Sequence, residues 1–322
     1  MNTTIRDPAA TLVIETASRD DIVDAASVYQ AAAESLSDQL RARNPWTDHT
    51  ARMEDLKQAI RALSTLLAND VQSVIVARHR GAIVGMAAVQ IQPPHAHIAF
   101  FFVHPDAQNR GVGRQLLDRI HEVIAESGAT VTTLASSRDP KAWQRYLRFG
   151  LHPGPPQLPF RAARPVFPPH LPTSDGSVIR PFVPDDLDRI APLDRVVRGA
   201  DRLNRIAQWL AEGSEGVVVC DHHGDVAGYG LVTVRESHGQ IGPVVAKSEE
   251  EFPLLLDLVL HHAGTIPDPR QRPWRIDFSA RNHLAIGPLL AAGFSAENLV
   301  NWFESSPVGQ WDRYIFRDED EL

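Results

Sequence analysis

The stretch Phe101-Phe102-Val103-His104-Pro105-Asp106-Ala107-Gln108-Asn109-Arg110-Gly111-Val112-Gly113-Arg114 decides how this 322-residue sequence is interpreted. An apolar run that ends at Val103 predicts a strand, and the amphipathic run over 115–120 predicts a helix. The turn between them contains Gly111 and Gly113. Such a turn presents backbone N–H groups to an anion, because glycine lets a phosphate approach closely and the helix dipole favours negative charge. We therefore expect a pyrophosphate to bind here.

The spacing of these glycines excludes two common phosphate-binding motifs. A Walker loop requires Lys and then Ser or Thr directly after its second glycine, where this chain has Arg114 and Gln115. The dinucleotide fingerprint requires a third glycine at the position of Leu116. The remaining pattern, Gln-x-x-Gly-x-Gly directly after Val-x-Pro, resembles the acetyl-CoA loop of the GCN5-related N-acetyltransferases, the GNAT family.

A second segment resembles the motif that follows in this family, Asn-x-x-Ala-x-x-x-Tyr-x-x-x-Gly-Phe. The corresponding residues of this chain are Asp139, Ala142, Tyr146, Gly150 and Leu151. Asp139 is a good helix N-cap and Gly150 a good C-terminal stop, so a helix is predicted over 140–148. The chain departs from the motif twice: Asp139 in place of Asn puts one contact to the cofactor arm in doubt, and Leu151 in place of Phe is a conservative packing change.

Composition sets the broad class of the protein. The length suits two domains of about 150 residues, and the apolar fraction of 43% is ample for two cores. The single cysteine, Cys220, excludes an internal disulfide and a cysteine-based zinc site, and we expect no metal. The N-terminal residues form no apolar signal core, and no apolar run approaches the roughly 18 residues of a membrane span. These features predict a cytoplasmic protein without a membrane segment.

Charge is unevenly distributed along the chain. Residues 1–160 contain 16 Lys and Arg against 16 Asp and Glu, whereas residues 161–322 contain 16 against 24. The lack of a basic excess argues against nucleic acid as a partner, because phosphate contacts need a basic face. The acidic excess favours a cationic amine as substrate or partner, although a solvated acidic surface explains it equally well.

Eight prolines between residues 153 and 172 divide the chain near its middle. Because proline cannot donate a ladder hydrogen bond, this segment is predicted to be an extended linker over 156–173 between domains 1–155 and 174–322. Each half shows the same order of predicted strands and helices, which indicates a duplicated domain. The whole chain resembles a tandem GNAT protein. The resemblance implies an α/β class with two GNAT folds, each a mostly antiparallel twisted sheet with helices on both faces.

The second half lacks the features that would hold acetyl-CoA. Its strand ending at Val245 is followed by Ala246-Lys247-Ser248-Glu249-Glu250-Glu251, which has no glycine pair and three carboxylates that would repel a pyrophosphate. Leu289 stands at the place of Tyr146. We expect this half to be non-catalytic, and either to line the acceptor site or to form the interface of a homodimer. Arg202 is interpreted as a helix-surface arginine, with contact to an anionic group of a ligand in a separate pocket as the weaker alternative.

The resemblance also implies which residues of the first half form the site. Tyr146 is the expected acid for the departing thiolate. A histidine titrates near neutral pH, and His97 stands where the family often has a catalytic Glu, so it is the candidate base, with His95 and Glu34 as weaker alternatives. A second interpretation is that His97 only faces solvent. The expected acetyl-CoA contacts are Phe101, Phe102, Val103, Gln108, Asn109, Arg110, Gly111, Val112, Gly113, Arg114, Asp139 and Tyr146.

The expected reaction is direct attack of a primary amine, most simply that of a small molecule, on acetyl-CoA. Two alternatives stay open. The first is a non-catalytic acyl-CoA-binding or regulatory module, and the second is an N-acetyltransferase that acts on a protein. The acceptor itself is not encoded in these motifs, because the resemblance implies that substrate contacts lie on variable helices, here near residues 30–55, and on the partner domain.

Overall fold

The computed structural model describes residues 12–39, 49–69, 73–170 and 177–317, so part of the predicted acceptor region, residues 40–48, lies outside the described residues. The chain divides into two compact units, Met1–His152 and Pro153–Leu322. Among the helices described, none combines the length and apolar character that crossing a membrane requires.

The first unit alternates strands and helices in the order that the sequence predicts. Its elements are β1 Leu12–Thr16, α1 Ile22–Gln39, α2 His49–Asn69, β2 Val74–His79, β3 Ala82–Gln92, β4 His95–Val103, α3 Val112–Ser127, β5 Val131–Ser136 and α4 Pro140–Arg148, and β6 His152–Pro153 lies at the boundary between the units. Strands β1 to β5 are neighbours in that order. The first three pairs are antiparallel, whereas β4 and β5 are parallel.

Helices cover both faces of this sheet, and alternate side chains of β3 pack against the helices on each face. Met86 and Ala88 point into a core that they share with α1 and α2. Gly85 points to the other face, where a Cβ atom would lie 2.9 Å from Val112 and 3.0 Å from Leu116 of α3. The absence of a side chain at Gly85 therefore lets the start of α3 approach the sheet closely.

The second unit repeats this order of elements. They are β7 Gln157–Ala162, β8 Val178–Pro181, α5 Leu187–Arg198, α6 Leu203–Ala211, β9 Glu215–Cys220, β10 Val226–Val234, β11 Gly239–Ala246, α7 Phe252–Thr265, β12 Trp274–Ser279, α8 Ile286–Ala291, β13 Ser295–Ala296, β14 Asn301–Glu304 and β15 Tyr314–Phe316. The eight-stranded sheet has the order β13-β7-β12-β15-β11-β10-β9-β8. Gly230 of β10 faces Val259 of α7 at close range, as Gly85 faces α3 in the first unit.

Two details of the second unit differ from the sequence predictions. Residues 157–162, predicted as linker, form strand β7 and pair antiparallel with β12. A strand fits here because Pro159 is its one proline, and the carbonyl oxygen of Pro159 accepts a hydrogen bond from the Glu297 N–H. The run Ser248-Glu249-Glu250-Glu251 has the pattern of a capping box and predicts a helix from residue 249, whereas helix α7 begins at Phe252, with Pro253 in its first turn, where no N–H is needed.

Candidate functional site

Strand β4 of the first unit has an edge that its parallel neighbour does not cover. The pairing of β4 with β5 runs from His95–Val131 to Ile98–Leu134 and stops there. At the same place the register with β3 shifts, so that Ala99 is an extra, bulged residue. Within the described residues of this unit, 100–103 pair with β3 alone. We call this uncovered edge of β4, residues 99–103, the notch.

The predicted phosphate loop joins the end of the notch to helix α3. The side-chain N–H of Gln108 donates to the carbonyl oxygen of Val103 at 3.2 Å and ties the loop to β4. Asn109 and Gly111 have φ angles of +62° and +85°, which turn the chain into the helix. The first helical hydrogen bond runs from the N–H of Gln115 to the carbonyl oxygen of Gly111, so the N–H groups of residues 112–114 have no partner within the helix.

The charge around this helix start is positive. Arg110 and Arg114 are exposed, and neither forms an ion pair in the part of the chain that the structure describes. Cations close to a helix N-terminus are disfavoured by the helix dipole, whereas an anion is stabilised there. The loop therefore has the free donors and the charge that an anion such as a pyrophosphate needs.

Helix α4 brings Tyr146 next to the notch. The rings of Tyr146 and Phe101 meet edge to face with centroids 6.1 Å apart. Burial raises the pKa of Tyr146 to about 12, although Arg145 nearby and a hydrogen bond with Ser136 oppose the shift. Tyr146 is therefore protonated at neutral pH and able to donate a hydrogen bond. Asp139 caps this helix as predicted, because its carboxylate accepts the N–H of Lys141 at 3.0 Å.

The predicted base lies on the opposite face of the sheet. The register places His97 opposite Gln90, on the same face as Phe100 and Phe102. Tyr29 of α1 covers that face and contacts both phenylalanine rings. Tyr146 and His97 therefore approach β4 from its two sides.

His97 is not the exposed side chain that the second interpretation required, since it is 2% exposed. Its Nδ1 lies 2.9 Å from the hydroxyl of Thr133, and Nε2 of His95 lies 3.0 Å from the same hydroxyl. The two imidazoles are thus linked through one threonine. Glu34, the other alternative, forms an ion pair with Arg52 at 2.9 Å.

In the second unit the position equivalent to the notch is filled by the chain itself. The parallel pairing of β11 with β12 stops at Ile241–Ile276, and beyond it β15 lies between the two strands and pairs with both. A Cβ atom on Gly242 would lie 2.0 Å from the carbonyl oxygen of Phe316, so glycine is required where β15 enters. Arg317 holds the end of β15 by donating to the hydroxyl of Thr233 at 2.6 Å.

Arg202 belongs to a buried polar cluster that supports this strand. It is 2% exposed, which corrects both interpretations made from the sequence. Its guanidinium donates twice to Asp194, at 3.0 and 2.7 Å, and the Tyr229 hydroxyl donates to the same carboxylate. The guanidinium also lies 5.3 Å from the ring of Tyr314, a residue of β15. Arg202 is therefore a structural residue that forms a buried ion pair with Asp194.

Sequence reasoning missed three features of these sites. Arg145 lies beside Gly113 of the phosphate loop, 3.5 Å from where a Cβ atom on that residue would be, although no motif marks it. Thr133 and Ser136 provide the hydroxyls next to His97 and Tyr146, and nothing distinguishes them from other strand residues. The signal that could have revealed the insertion of β15 is Gly242-Pro243, which interrupts an otherwise apolar strand pattern.

Comparisons with known proteins agree with the duplicated fold. Residues 30–151 match the family model described as the acetyltransferase (GNAT) family, and residues 190–267 match a model described as an acetyltransferase (GNAT) domain. Together the two matches span more than half of the chain. No curated protein matches the sequence.

Several solved structures share the fold over nearly the whole chain. A candidate acetyltransferase from Pyrococcus horikoshii is 18% identical with a TM-score of 0.70, and the match covers 100% of this chain and 99% of that one. A GCN5-related N-acetyltransferase from Sphaerobacter thermophilus is 16% identical, with a TM-score of 0.62 and coverage of 92% and 96%. A tandem GNAT protein from the clavulanic acid biosynthesis pathway is 17% identical, with a TM-score of 0.56 and coverage of 92% and 99%. At these identities the likeness shows the fold.

Proposed function

The chain belongs to the GNAT acetyltransferase family, with two GNAT domains in tandem, and we propose that its first unit transfers an acetyl group from acetyl-CoA to a primary amine of a small molecule. The observation that carries this proposal is the notch of β4, which leads directly into the glycine loop. Among the described residues, the N–H groups of 112–114 have no partner within their helix, and Arg110 and Arg114 form no ion pair. An extended pantetheine arm needs an uncovered strand edge, and a pyrophosphate needs free donors at a helix start.

In the proposed complex the donor lies along the notch. Backbone groups of Phe101, Phe102 and Val103 bind the pantetheine arm and polarise the thioester carbonyl. The loop residues Gln108, Asn109, Arg110, Gly111, Val112, Gly113 and Arg114 hold the pyrophosphate through main-chain N–H groups and positive charge. Asp139 fixes the start of α4 and thereby the position of Tyr146.

The proposed reaction is direct attack by the amine nitrogen on the thioester carbonyl carbon. Alkyl ammonium groups ordinarily have pKa values near 10, so the acceptor must first lose a proton, and we assign this step to His97, through water if the amine does not reach it. As the carbon–sulfur bond breaks, the second proton of the attacking nitrogen passes to the departing thiolate, which Tyr146 stabilises by donating a hydrogen bond. The raised pKa of Tyr146 supports this role, because the phenol is a donor at every pH at which the enzyme would work.

The second unit is proposed to be non-catalytic. Strand β15 covers the edge that an acyl-CoA would need, and the sequence after β11 presents three carboxylates in place of a glycine pair. The proposed acceptor site therefore belongs to the first unit. We propose that the second unit contributes to selectivity or to a homodimer.

A second candidate function is an acyl-CoA-binding regulatory module without an acceptor. The near-complete burial of His97 favours it, because a buried imidazole is difficult for an amine to reach.

A screen for acetyl-CoA-dependent release of free thiol separates the two functions. The panel contains polyamines, amino acids, aminoglycosides and lysine peptides. Thiol release with a small amine supports the proposal, and release with peptides alone indicates a protein acetyltransferase. Acetyl-CoA binding without release on any acceptor supports the regulatory module.

A further inference from the structure

Arg145 of helix α4 points at the start of helix α3. A Cβ atom on Gly113 would lie 3.5 Å from both the guanidinium carbon and one terminal nitrogen of Arg145. Gly113 is the second residue of α3, in the turn whose N–H groups have no partner within the helix, and the Cα–Cβ direction of a helical residue tilts toward the N-terminus. Arg145 therefore reaches from one helix to the phosphate loop of another.

This position is unfavourable for a cation in the protein alone. The N-terminus of α3 is the positive end of its dipole, and Arg110 and Arg114 add two further charges. Within the described part of the chain Arg145 forms no ion pair or side-chain hydrogen bond. The dipole of its own helix favours a cation in the last turn of α4, where Arg145 lies. Its half-buried guanidinium end, however, reaches the positive end of α3 and has no carboxylate partner among the described residues.

We propose that Arg145 donates to the pyrophosphate of bound acyl-CoA and so fixes the donor between α3 and α4. This inference rests on the proposed function of the first unit. A guanidinium suits the task, because its planar fork binds two phosphate oxygens at once, which an ammonium group does less well. Arg145 is also adjacent in sequence to Tyr146, so a phosphate contact at Arg145 sets the distance between the anchored end of the donor and the phenol.

The experiment measures the affinity of full-length Arg145→Met for three ligands: acetyl-CoA, its 3′-dephospho form, and S-acetylpantetheine, which ends before the pyrophosphate. The variant is expected to bind the first two at least tenfold more weakly, by the same factor, and to bind acetylpantetheine within twofold of the wild type. The acetyl-CoA affinity of Arg145→Lys should lie between those of Arg145→Met and the wild type. The apo variant should melt no lower than the wild type, because the substitution removes a cation from a helix N-terminus.

The matched control is Arg119→Met, two turns along α3, where Arg119 forms an ion pair with Glu122 at 2.8 Å. This variant should bind all three ligands like the wild type. Three results overturn the inference: unchanged binding of acetyl-CoA by Arg145→Met, an equal loss for all three ligands, or a loss that disappears with the 3′-dephospho form. If the wild-type protein binds no acetyl-CoA, the proposed function itself fails, which is a separate outcome.

Discussion

Replacing Gly111 by Asp tests the phosphate loop with little disturbance of the fold. Gly111 has a φ angle of +85°, and a Cβ atom there would have nothing within 4 Å. Asp and Asn tolerate this conformation better than other side chains, at a cost of about 1 kcal/mol. Asn is nearly the same size as Asp but uncharged, so Gly111→Asn is the matched control. The comparison between the two variants isolates charge.

The expected effect follows from the distance between the new carboxylate and the phosphates. At about 5 Å in water each pair of unit charges repels by about 0.8 kcal/mol, so two phosphate charges give about 1.7 kcal/mol, and a lower local dielectric gives more. This repulsion weakens binding by at least about tenfold. Calorimetric titration with acetyl-CoA at low salt should show this difference between the Asp and Asn variants, and it should shrink toward 1 M salt, where charges are screened within about 3 Å.

Equal acetyl-CoA affinities of Gly111→Asp and Gly111→Asn at low salt would refute the assignment of the loop as a pyrophosphate site. A difference that does not respond to salt would point to a local structural effect and would contradict the electrostatic reasoning. The melting temperatures of both variants should agree within a few degrees, which shows that the loop, and not the fold, has changed.

Further substitutions test other parts of the account. Tyr146→Phe should lower turnover at least tenfold with acetyl-CoA affinity unchanged, since a hydrogen bond to a charged group contributes about 1.5–3 kcal/mol. Turnover within twofold of the wild type would remove the phenol from the mechanism. Burial raises the pKa of Tyr146 to about 12, so the folded state holds this proton more tightly than the unfolded state does. The free energy of unfolding of the wild type should therefore fall between pH 10 and 12 more than that of Tyr146→Phe. Parallel pH profiles of the two proteins would contradict this. Asp194→Asn leaves the buried Arg202 guanidinium without its carboxylate and should lower the free energy of unfolding by about 3–5 kcal/mol in urea titrations. Asp201→Asn removes an exposed ion pair with Arg195 and should cost at most about 1 kcal/mol. Equal losses would show that the cluster is not buried in solution. Gly242→Ala should destabilise the chain far more than Gly213→Ala. Both glycines have positive φ angles, but only at residue 242 would the added Cβ atom clash with β15. Similar melting temperatures of the two variants would argue against the position of β15.

The order of the elements could be predicted from sequence because it depends on local patterns. The apolar runs before Val103 and Val245, and the capping residues around 140–148, fix strands and helices to within a few residues. The pairing of β15 could not be predicted in the same way, since three apolar residues, Tyr314–Phe316, carry no information about the two distant strands that they join.

In the candidate site, too, residues in local motifs could be predicted and tertiary contacts could not. Gly111 and Tyr146 lie within spaced motifs and could be identified from the sequence. The burial of Arg202, the residue before α6, depends on Asp194 of α5, eight residues earlier, and the reach of Arg145 to Gly113 depends on how α3 and α4 pack. Such contacts arise only from tertiary structure, which residue spacing does not encode.

The acyl-CoA site is proposed to lie in the first unit, with none in the second. Hydrogen–deuterium exchange of the full-length protein, with and without saturating acetyl-CoA, locates the site. We expect slower exchange in peptides that contain residues 99–103 and 108–114, most of all at the N–H groups of 112–114, with no change at 239–251. Protection at 239–251, or none at the loop when acetyl-CoA is bound, would contradict it.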